Sequence, residues 1–266
     1  MLHKPLKLPA CPPLKITFLG TGTSSGVPMI GCNCPVCVSK NKHDQRLRTS
    51  LLIQSASTTV VIDATPDFRY QMLRANVKTL DAIVFTHPHK DHIGGLDDVR
   101  AYNYFSNKPM PLYANALTQK GIKNDFHYAF TNNTLLGLPK LQMVPIGNAP
   151  FMVGNIPFVP INVLHYKMPV LGFKVGKLAY ITDANFIAPT ELQKCEGAEI
   201  LVINTLRNEK HLSHFTLAEA VAIGQQLKVK KMYGTHISHQ LGKHVAVNKT
   251  LPKWCTLAYD CLCVNV

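Results

Sequence analysis

Asp81-Ala-Ile-Val-Phe-Thr-His-Pro-His-Lys-Asp-His92 decides how this chain is read. Asp81 to Thr86 is an apolar run of strand length. His87-Pro-His-Lys-Asp-His92 then sets three imidazoles and a carboxylate within a few positions of the strand's end. The exit is Gly94-Gly95, followed by a helical pattern over Leu96 to Phe105. Imidazole nitrogen and carboxylate oxygen suit Zn²⁺, Mn²⁺ or Fe better than Ca²⁺ or Cu(I). A solvated charged loop is the plain alternative, but the density of donors after an apolar strand argues for a metal loop.

Further donors follow other strand-like segments. His165 lies beyond the apolar region Leu141 to Leu164, Asp183 follows Lys177 to Thr182, and His236 follows Lys231 to Thr235. With His87, His89, Asp91 and His92 they exceed what one tetrahedral ion needs. Two ions sharing a carboxylate would use them all.

Outward from this loop, Leu14 to Leu19 reads as a strand, ahead of the turn Gly20-Thr-Gly-Thr-Ser-Ser-Gly-Val-Pro28. Thr49 to Gln54 and Thr58 to Ile62 form a strand pair ending at Asp63. Thr118 to Ala129 reads as helical, with several short strands between Leu141 and Leu164. Leu171 to Val175 and Lys177 to Thr182 make a hairpin around Gly176, and Ile200 to Thr205 is a strand. Thr216-Leu-Ala-Glu219 has the spacing of a capping box and opens a helix through about Leu227. Strand clusters mix with helices rather than alternating strictly, which predicts an α+β fold.

The 266 residues are 46% hydrophobic and 16% charged, enough for a sizeable core and too apolar for wholesale disorder. No apolar run reaches the roughly 20 residues of a membrane span. The first ten residues, broken by prolines, do not read as a secretory signal, so the expected address is cytoplasmic. The +13 net charge favours phosphate-bearing partners. The basic residues are scattered, so an extended nucleic-acid track is the disfavoured reading. Of eight cysteines, Cys32, Cys34 and Cys37 crowd into one turn and read as metal ligands. Cys11, Cys195, Cys255, Cys261 and Cys263 read as small core residues. His3, His43, His127 and His244 read as surface or structural residues.

Thr86-His-Pro-His-Lys-Asp-His92 resembles the Thr-His-x-His-x-Asp-His signature of the metallo-β-lactamase superfamily. That resemblance implies a four-layer αββα sandwich over residues 14–266, preceded by an N-terminal extension, 1–13. By position it assigns His87, His89 and His165 to one metal, and Asp91, His92 and His236 to the other, with Asp183 bridging. It makes Asp63 a support for the metal loop, a purely structural role being the alternative. The glycine turn with Cys32-Asn-Cys-Pro-Val-Cys37, and Thr235-His-Ile-Ser-His-Gln240 near the end, resemble the phosphoribosyl 1,2-cyclic phosphate phosphodiesterase family. This implies a structural zinc on Cys32, Cys34, Cys37 and His239, and a homodimer.

The activity so implied is metal-dependent hydrolysis of a small cyclic or nucleotide-like phosphodiester by a metal-bridging hydroxide, with two Zn or Mn ions in the site. The catalytic candidates are His214 and Asp91. His214 resembles the family's non-ligand histidine and would protonate the leaving group, with His211 its rival. The helix opened by Thr216 would lend positive potential to a phosphate, and Ser24 and Ser25 would offer hydroxyls. Two alternatives stand: a tRNA 3′-processing endonuclease, and a non-hydrolytic metal-binding relative of the pyrroloquinoline quinone biosynthesis type.

Overall fold

The computed structural model describes residues 8–131 and 137–266. Strands β1 (Lys15–Gly20), β2 (Ser50–Gln54), β3 (Thr59–Ile62), β4 (Ala82–Val84), β5 (Met110–Ala114) and β6 (Leu141–Pro145) lie in that order in one sheet. The second sheet holds β7 (Phe151–Val153), β8 (Ile156–His165), β9 (Met168–Val175), β10 (Leu178–Ile181), β11 (Phe186–Ile187), β12 (Ile200–Asn204), β13 (Lys231–Thr235) and β14 (Cys255–Leu257). Its spatial order is β11-β8-β9-β10-β12-β13-β14, with β7 beside β8. The last strand, β15 (Cys263–Asn265), returns to pair with β1.

Period-two alternation sorts the apolar side chains into layers. Leu51, Ile53, Val60, Ile62 and Val84 point between the sheets and meet Phe158, Phe173, Leu178, Tyr180 and Val202. Their neighbours Leu52, Val61 and Ile83 face outward onto Phe68, Met72, Ile93 and Ile122. Those residues come from helices α1 (Phe68–Arg74), α2 (Lys90–Ile93) and α4 (Ala116–Asp125), with α3 (Arg100–Ser106) between the last two. On the other side Ala179, Ile181, Leu201, Ile203 and Met232 pack against Ala220 of α6 (Leu217–Gln226); α5 (Pro189–Gln193) precedes α6 in the chain. The last helix, α7 (His244–Asn248), joins a smaller cluster through Val247. Both sheet faces are covered, which is why these strands read as unbroken apolar runs. The result is the expected αββα sandwich.

Strand directions collect the polar ends. β3 is parallel to β4, and β10, β12 and β13 are mutually parallel. β8 runs with β10 because each is antiparallel to β9. His165 ends β8, and Asp63, His87, Asp183 and His236 follow the carboxyl ends of their strands, the usual location for ligands in such sheets.

Several expectations need correction. The helix expected over Leu96 to Phe105 is a 3-10 turn, Leu96–Val99, followed by α3. The short strands expected before Leu164 include one of ten residues, β8, despite Pro157 and Pro160. The Asn162 N–H leaves the ladder for Glu191 Oε2 at 2.6 Å, so at the same parity Pro160 lacks a donor only on the side away from β9. Sequence reading missed α1, α2, β5, β11, α5, α7, β14 and β15. Pro111 disguised β5, and the others are short. Cys195 and Cys255 are buried as expected, and Cys11 is half-buried, but Cys261 and Cys263 are exposed beside and on the edge strand β15. His3 lies outside the described residues, as does half of the extension 1–13. Among the described residues no helix is long and apolar enough to cross a membrane.

His244 is buried and structural. Its Nδ1 lies 3.1 Å from the Arg46 guanidinium, which also donates to Thr21 and to the Ala258 carbonyl. Burial, with the Arg46 charge second, lowers its pKa to about 4. The unfolded chain therefore takes up a proton near pH 6.5 that the folded chain refuses until about pH 4. Stability is expected to fall through that window as pH drops, by about 2 kcal/mol once the full shift is discounted for solvent screening. Urea midpoints of wild type and His244→Gln should converge as pH falls from 7 to 4; parallel profiles would refute the assignment.

Candidate active site

The metal loop leaves β4 and turns at once into α2, whose N-cap is His89. His89 stays exposed at the start of this helix, while His92, inside it, is fully buried, with Asp91 between them in sequence. Three of the site's imidazoles are held by their Nδ1 atoms. His87 Nδ1 meets Thr86 Oγ1 at 2.9 Å, His92 Nδ1 meets Asp63 Oδ2 at 2.8 Å, and His165 Nδ1 meets the Ser213 carbonyl at 2.8 Å. With Nδ1 protonated toward these acceptors, each ring leaves Nε2 free for the cavity, the arrangement that orients metal-ligating histidines.

Asp63 is the hub of that support. It is fully buried at the end of β3 and also accepts from the Thr86 amide (2.9 Å) and hydroxyl (2.8 Å). Its role is to orient the loop, as the first of the two expected readings held. Thr86 and Ser213 were missed as supports; a backbone carbonyl such as that of Ser213 leaves no mark in sequence.

The donors converge. Asp91, His92, Asp183 and His236 bring ligand atoms within 4.8 Å of one another, and His165, Asp183 and His214 form a second such group. Asp183 is common to both. Its carboxylate lies 3.1 Å from His236 Nε2, 3.3 Å from His92 Nε2 and 3.7 Å from His87 Nε2. His89 Nδ1 stands 3.1 Å from His87 Nε2, and its ring centroid is 5.1 Å from that of His165. Asp183 and His236 both adopt left-handed backbone, with φ of 52° and 53°, which turns each side chain sharply off its strand end.

Electrostatics fit divalent cations. Burial opposes charge on Asp183, but His236 and His92 outweigh it and hold the carboxyl well below its usual range. Burial likewise opposes charge on His92, yet Asp183, Asp91 and Asp63 raise it well above the ordinary value; by the same balance His236 rises to about 9. Without a metal, the carboxylates are matched by shared protons. The Nε2 atoms of His92 and His236 are nevertheless buried without a hydrogen bond. Buried ring nitrogens packed against carboxylates without a hydrogen bond are what a bound cation satisfies, taking the place of the imidazole protons.

His214, expected as a proton donor, is as close as a ligand, its ring 4.6 Å from His165 and 4.8 Å from His236. Burial, then the charge on His236, lowers its pKa to about 3. His211 stacks on it at 5.2 Å, farther out, and is half-buried. Ser24 and Ser25 are exposed, and the Ser25 hydroxyl turns back to the Gly26 carbonyl. One expectation fails here. The N-terminus of α6 is closed by its own capping box, Glu219 Oε2 accepting from the Thr216 amide at 2.8 Å, so its first donors are not free for phosphate.

Cys32, Cys34, Cys37 and His239 form a separate cluster. His239 Nδ1 lies 3.4 Å from Cys32 Sγ and 3.3 Å from Cys34 Sγ. Tetrahedral zinc with Zn–S of about 2.3 Å and Zn–N of about 2.0 Å implies an S–N edge of about 3.5 Å, so the set fits. Bonding from the Cys37 amide, then from His239, lowers the Cys34 thiol to about 6, toward the thiolate a metal needs. Backbone bonds from Thr23 to the Ile237 carbonyl (3.0 Å) and from Ile237 to the Thr21 carbonyl (2.9 Å) join the glycine turn to the segment carrying His236.

The β-lactamase superfamily domain model matches residues 58–237, which contain all these active-site donors. The chain belongs to the metallo-β-lactamase superfamily. The crystal structure of a new diphosphatase from the PhnP family superposes with a TM-score of 0.90 at 40% identity, covering 96% of this chain and 97% of that one. The octanoyltransferase of Porphyromonas gingivalis (strain ATCC BAA-308 / W83) is 37% identical over 250 residues. That match takes in 93% of this chain, which spans about half the length of this curated relative. The short form of human tRNase Z shares the fold, with a TM-score of 0.69 at 18% identity over 94% of this chain and 98% of that one. The chain is thus a metal hydrolase of this fold with a His/Asp metal site.

Proposed function

We propose that this metal hydrolase cleaves a small phosphodiester, cyclic or nucleotide-like, the P–O–P link of a diphosphate included. The observation that carries the reading is the convergence of His87, His89, Asp91, His92, His165, Asp183 and His236 on one sheet edge, with Asp183 within reach of both donor groups. In this reading His87, His89 and His165 hold one divalent ion, Asp91, His92 and His236 the other, and Asp183 both. Zinc or manganese suits these donors, and zinc the Cys₃His set. Two such ions would activate water and offset charge on a phosphoryl oxygen.

The remaining work falls to the chain's own residues. Both cavities at the site open beside His211 and Leu212, one walled by His89 and His165, the other by His214 and Phe186. A phosphorus with two substituents can send one into each. Lys167 and Lys210 line these mouths and would attract an anionic substrate. His214 would hand a proton to the departing oxygen. Burial and the neighbouring His236 disfavour its protonated form, and an adjacent phosphoryl anion would favour it. The diphosphatase at 40% identity supports a disubstituted phosphorus as the reacting centre. The octanoyltransferase activity is not carried over, since half of that protein lies outside the match. The scattered placement of the basic residues favours this reading over a tRNA nuclease, and the complete donor set favours it over a non-hydrolytic relative. The reading includes a cytoplasmic homodimer, for which the outer face of α1 and α3, with Leu73, Tyr104 and Phe105 exposed, offers apolar surface.

The test compares leaving groups. Wild type loaded with Mn²⁺ or Zn²⁺ is expected to cleave bis(p-nitrophenyl) phosphate and methyl p-nitrophenyl phosphate, and to cleave dialkyl or diphosphate-linked substrates as well. His214→Ala should lose about 10²–10³ in kcat where the leaving oxygen needs a proton, and under about tenfold where p-nitrophenolate leaves. Equal losses on both classes would remove His214 from this role. No cleavage of any phosphodiester or diphosphate would overturn the proposal.

A further inference from the structure

Tyr166 occupies a place where local chemistry does not favour a tyrosine. It follows His165 in the two-residue turn between β8 and β9, since His165 pairs with Met168. Its φ of 58° is left-handed, a conformation that hairpin turns give to glycine or asparagine and that a bulky residue adopts at a cost. Its ring is 54% exposed as well. Neither backbone preference nor burial accounts for the residue. The turn is nonetheless held firmly, the Tyr166 amide donating to Asn185 Oδ1 at 2.6 Å.

What the tyrosine does have is a position. It lines a cavity of about 670 Å³ together with His89 and His165, and the other apolar walls are Met168 and Leu212. Leu212 is 78% exposed at the rim. Lys167 Nζ lies 5.4 Å from the Tyr166 ring centroid and adds a cation to the same lobe. Apolar surface on a rigid turn, a cation and a neighbouring donor cluster together make a binding lobe of ordinary ligand size.

We infer that this lobe holds a planar ring of the substrate, a nucleobase or similar aromatic group, stacked on Tyr166 against Leu212 while the phosphoryl group reaches His165. The inference rests on the hydrolase reading above and narrows it to ring-bearing substrates. Stacking of a base on one aromatic side chain is worth about tenfold in affinity.

The test uses the full chain with its metals and reads binding by calorimetry, with adenosine 5′-monophosphate and ribose 5-phosphate as probes. The adenosine compound should bind about tenfold more tightly. Tyr166→Asn, which suits the left-handed backbone but removes the ring, should bring the two to parity, and Tyr166→Phe should restore the difference. Equal affinities in wild type, or a preference that survives in Tyr166→Asn, would overturn the inference. Hydrolysis of bis(p-nitrophenyl) phosphate is measured in parallel. Turnover without the binding preference defeats the stacking site alone. The preference without turnover defeats the hydrolase reading and leaves the stacking site standing.

Discussion

Asp183→Asn is expected to lower metal-dependent phosphodiester cleavage by at least about 10³-fold and to reduce the metal bound at the site, with the fold intact. Asp183 is the one carboxylate facing His87, His92 and His236 together, and it also belongs to the group with His165 and His214. Without its charge, several buried imidazoles face one another with Asp91 the carboxylate left beside His92 and His236 Nε2, since Asp63 is engaged on the far side of His92. Two cations could not then be matched, and a loss of about 4 kcal/mol or more in transition-state stabilisation follows. Asparagine keeps the side chain's shape and tolerates the left-handed backbone at this position, so stability should change little. The paired measurements are elemental analysis, melting temperature and kcat/KM. Metal content and kcat/KM within tenfold of wild type would show that Asp183 is not shared between ions. His89→Ala should also abolish cleavage while sparing the fold, since His89 lies at the mouth and outside the apolar clusters.

Cys34→Ser is expected to act on stability first. The Cys₃His set ties the loop of residues 29–38 to the 3-10 turn His239–Leu241, and few apolar contacts are available there to replace it: Ile30 and Val38 are exposed. Small metal-held segments depend on the ion for much of their ordering. A fall of roughly 10 °C in melting temperature is expected for a domain of this size, with zinc content falling by one ion per chain. Activity should decline as well, because the same segment carries His236 and is bonded to the glycine turn through Thr23 and Ile237. An unchanged melting temperature and unchanged zinc content would count against a structural ion. The two substitutions are expected to separate cleanly, Asp183→Asn losing catalysis with the fold preserved and Cys34→Ser losing stability.

The chain's own order of residues determined the donor chemistry and most of the sandwich. His87 through His92 are adjacent, so their density is visible without folding, and so is the crowding of Cys32, Cys34 and Cys37. The period-two runs at Leu51 to Ile53 and Val60 to Ile62 encode burial on both sheet faces, and Thr216 with Glu219 encodes a helix start. These signals survive in one dimension because each is carried by side chains within a few positions of one another.

Only the tertiary structure decided how the donors are aimed. Parallel strands bring Asp183 and His236 to the edge that Asp91 and His92 occupy. Which imidazole nitrogen faces the cavity is set by the neighbouring Thr86, and by Asp63 and the Ser213 carbonyl, contacts that cross long sequence separations, the last through a main-chain atom common to every residue. The same limit explains why His214 emerged at ligand range, why Cys261 and Cys263 turned out exposed, and why Tyr166 became visible only once its turn was seen beside His165. Local pattern records what a residue can do; which neighbours it meets is written in chain reversals that no short window contains.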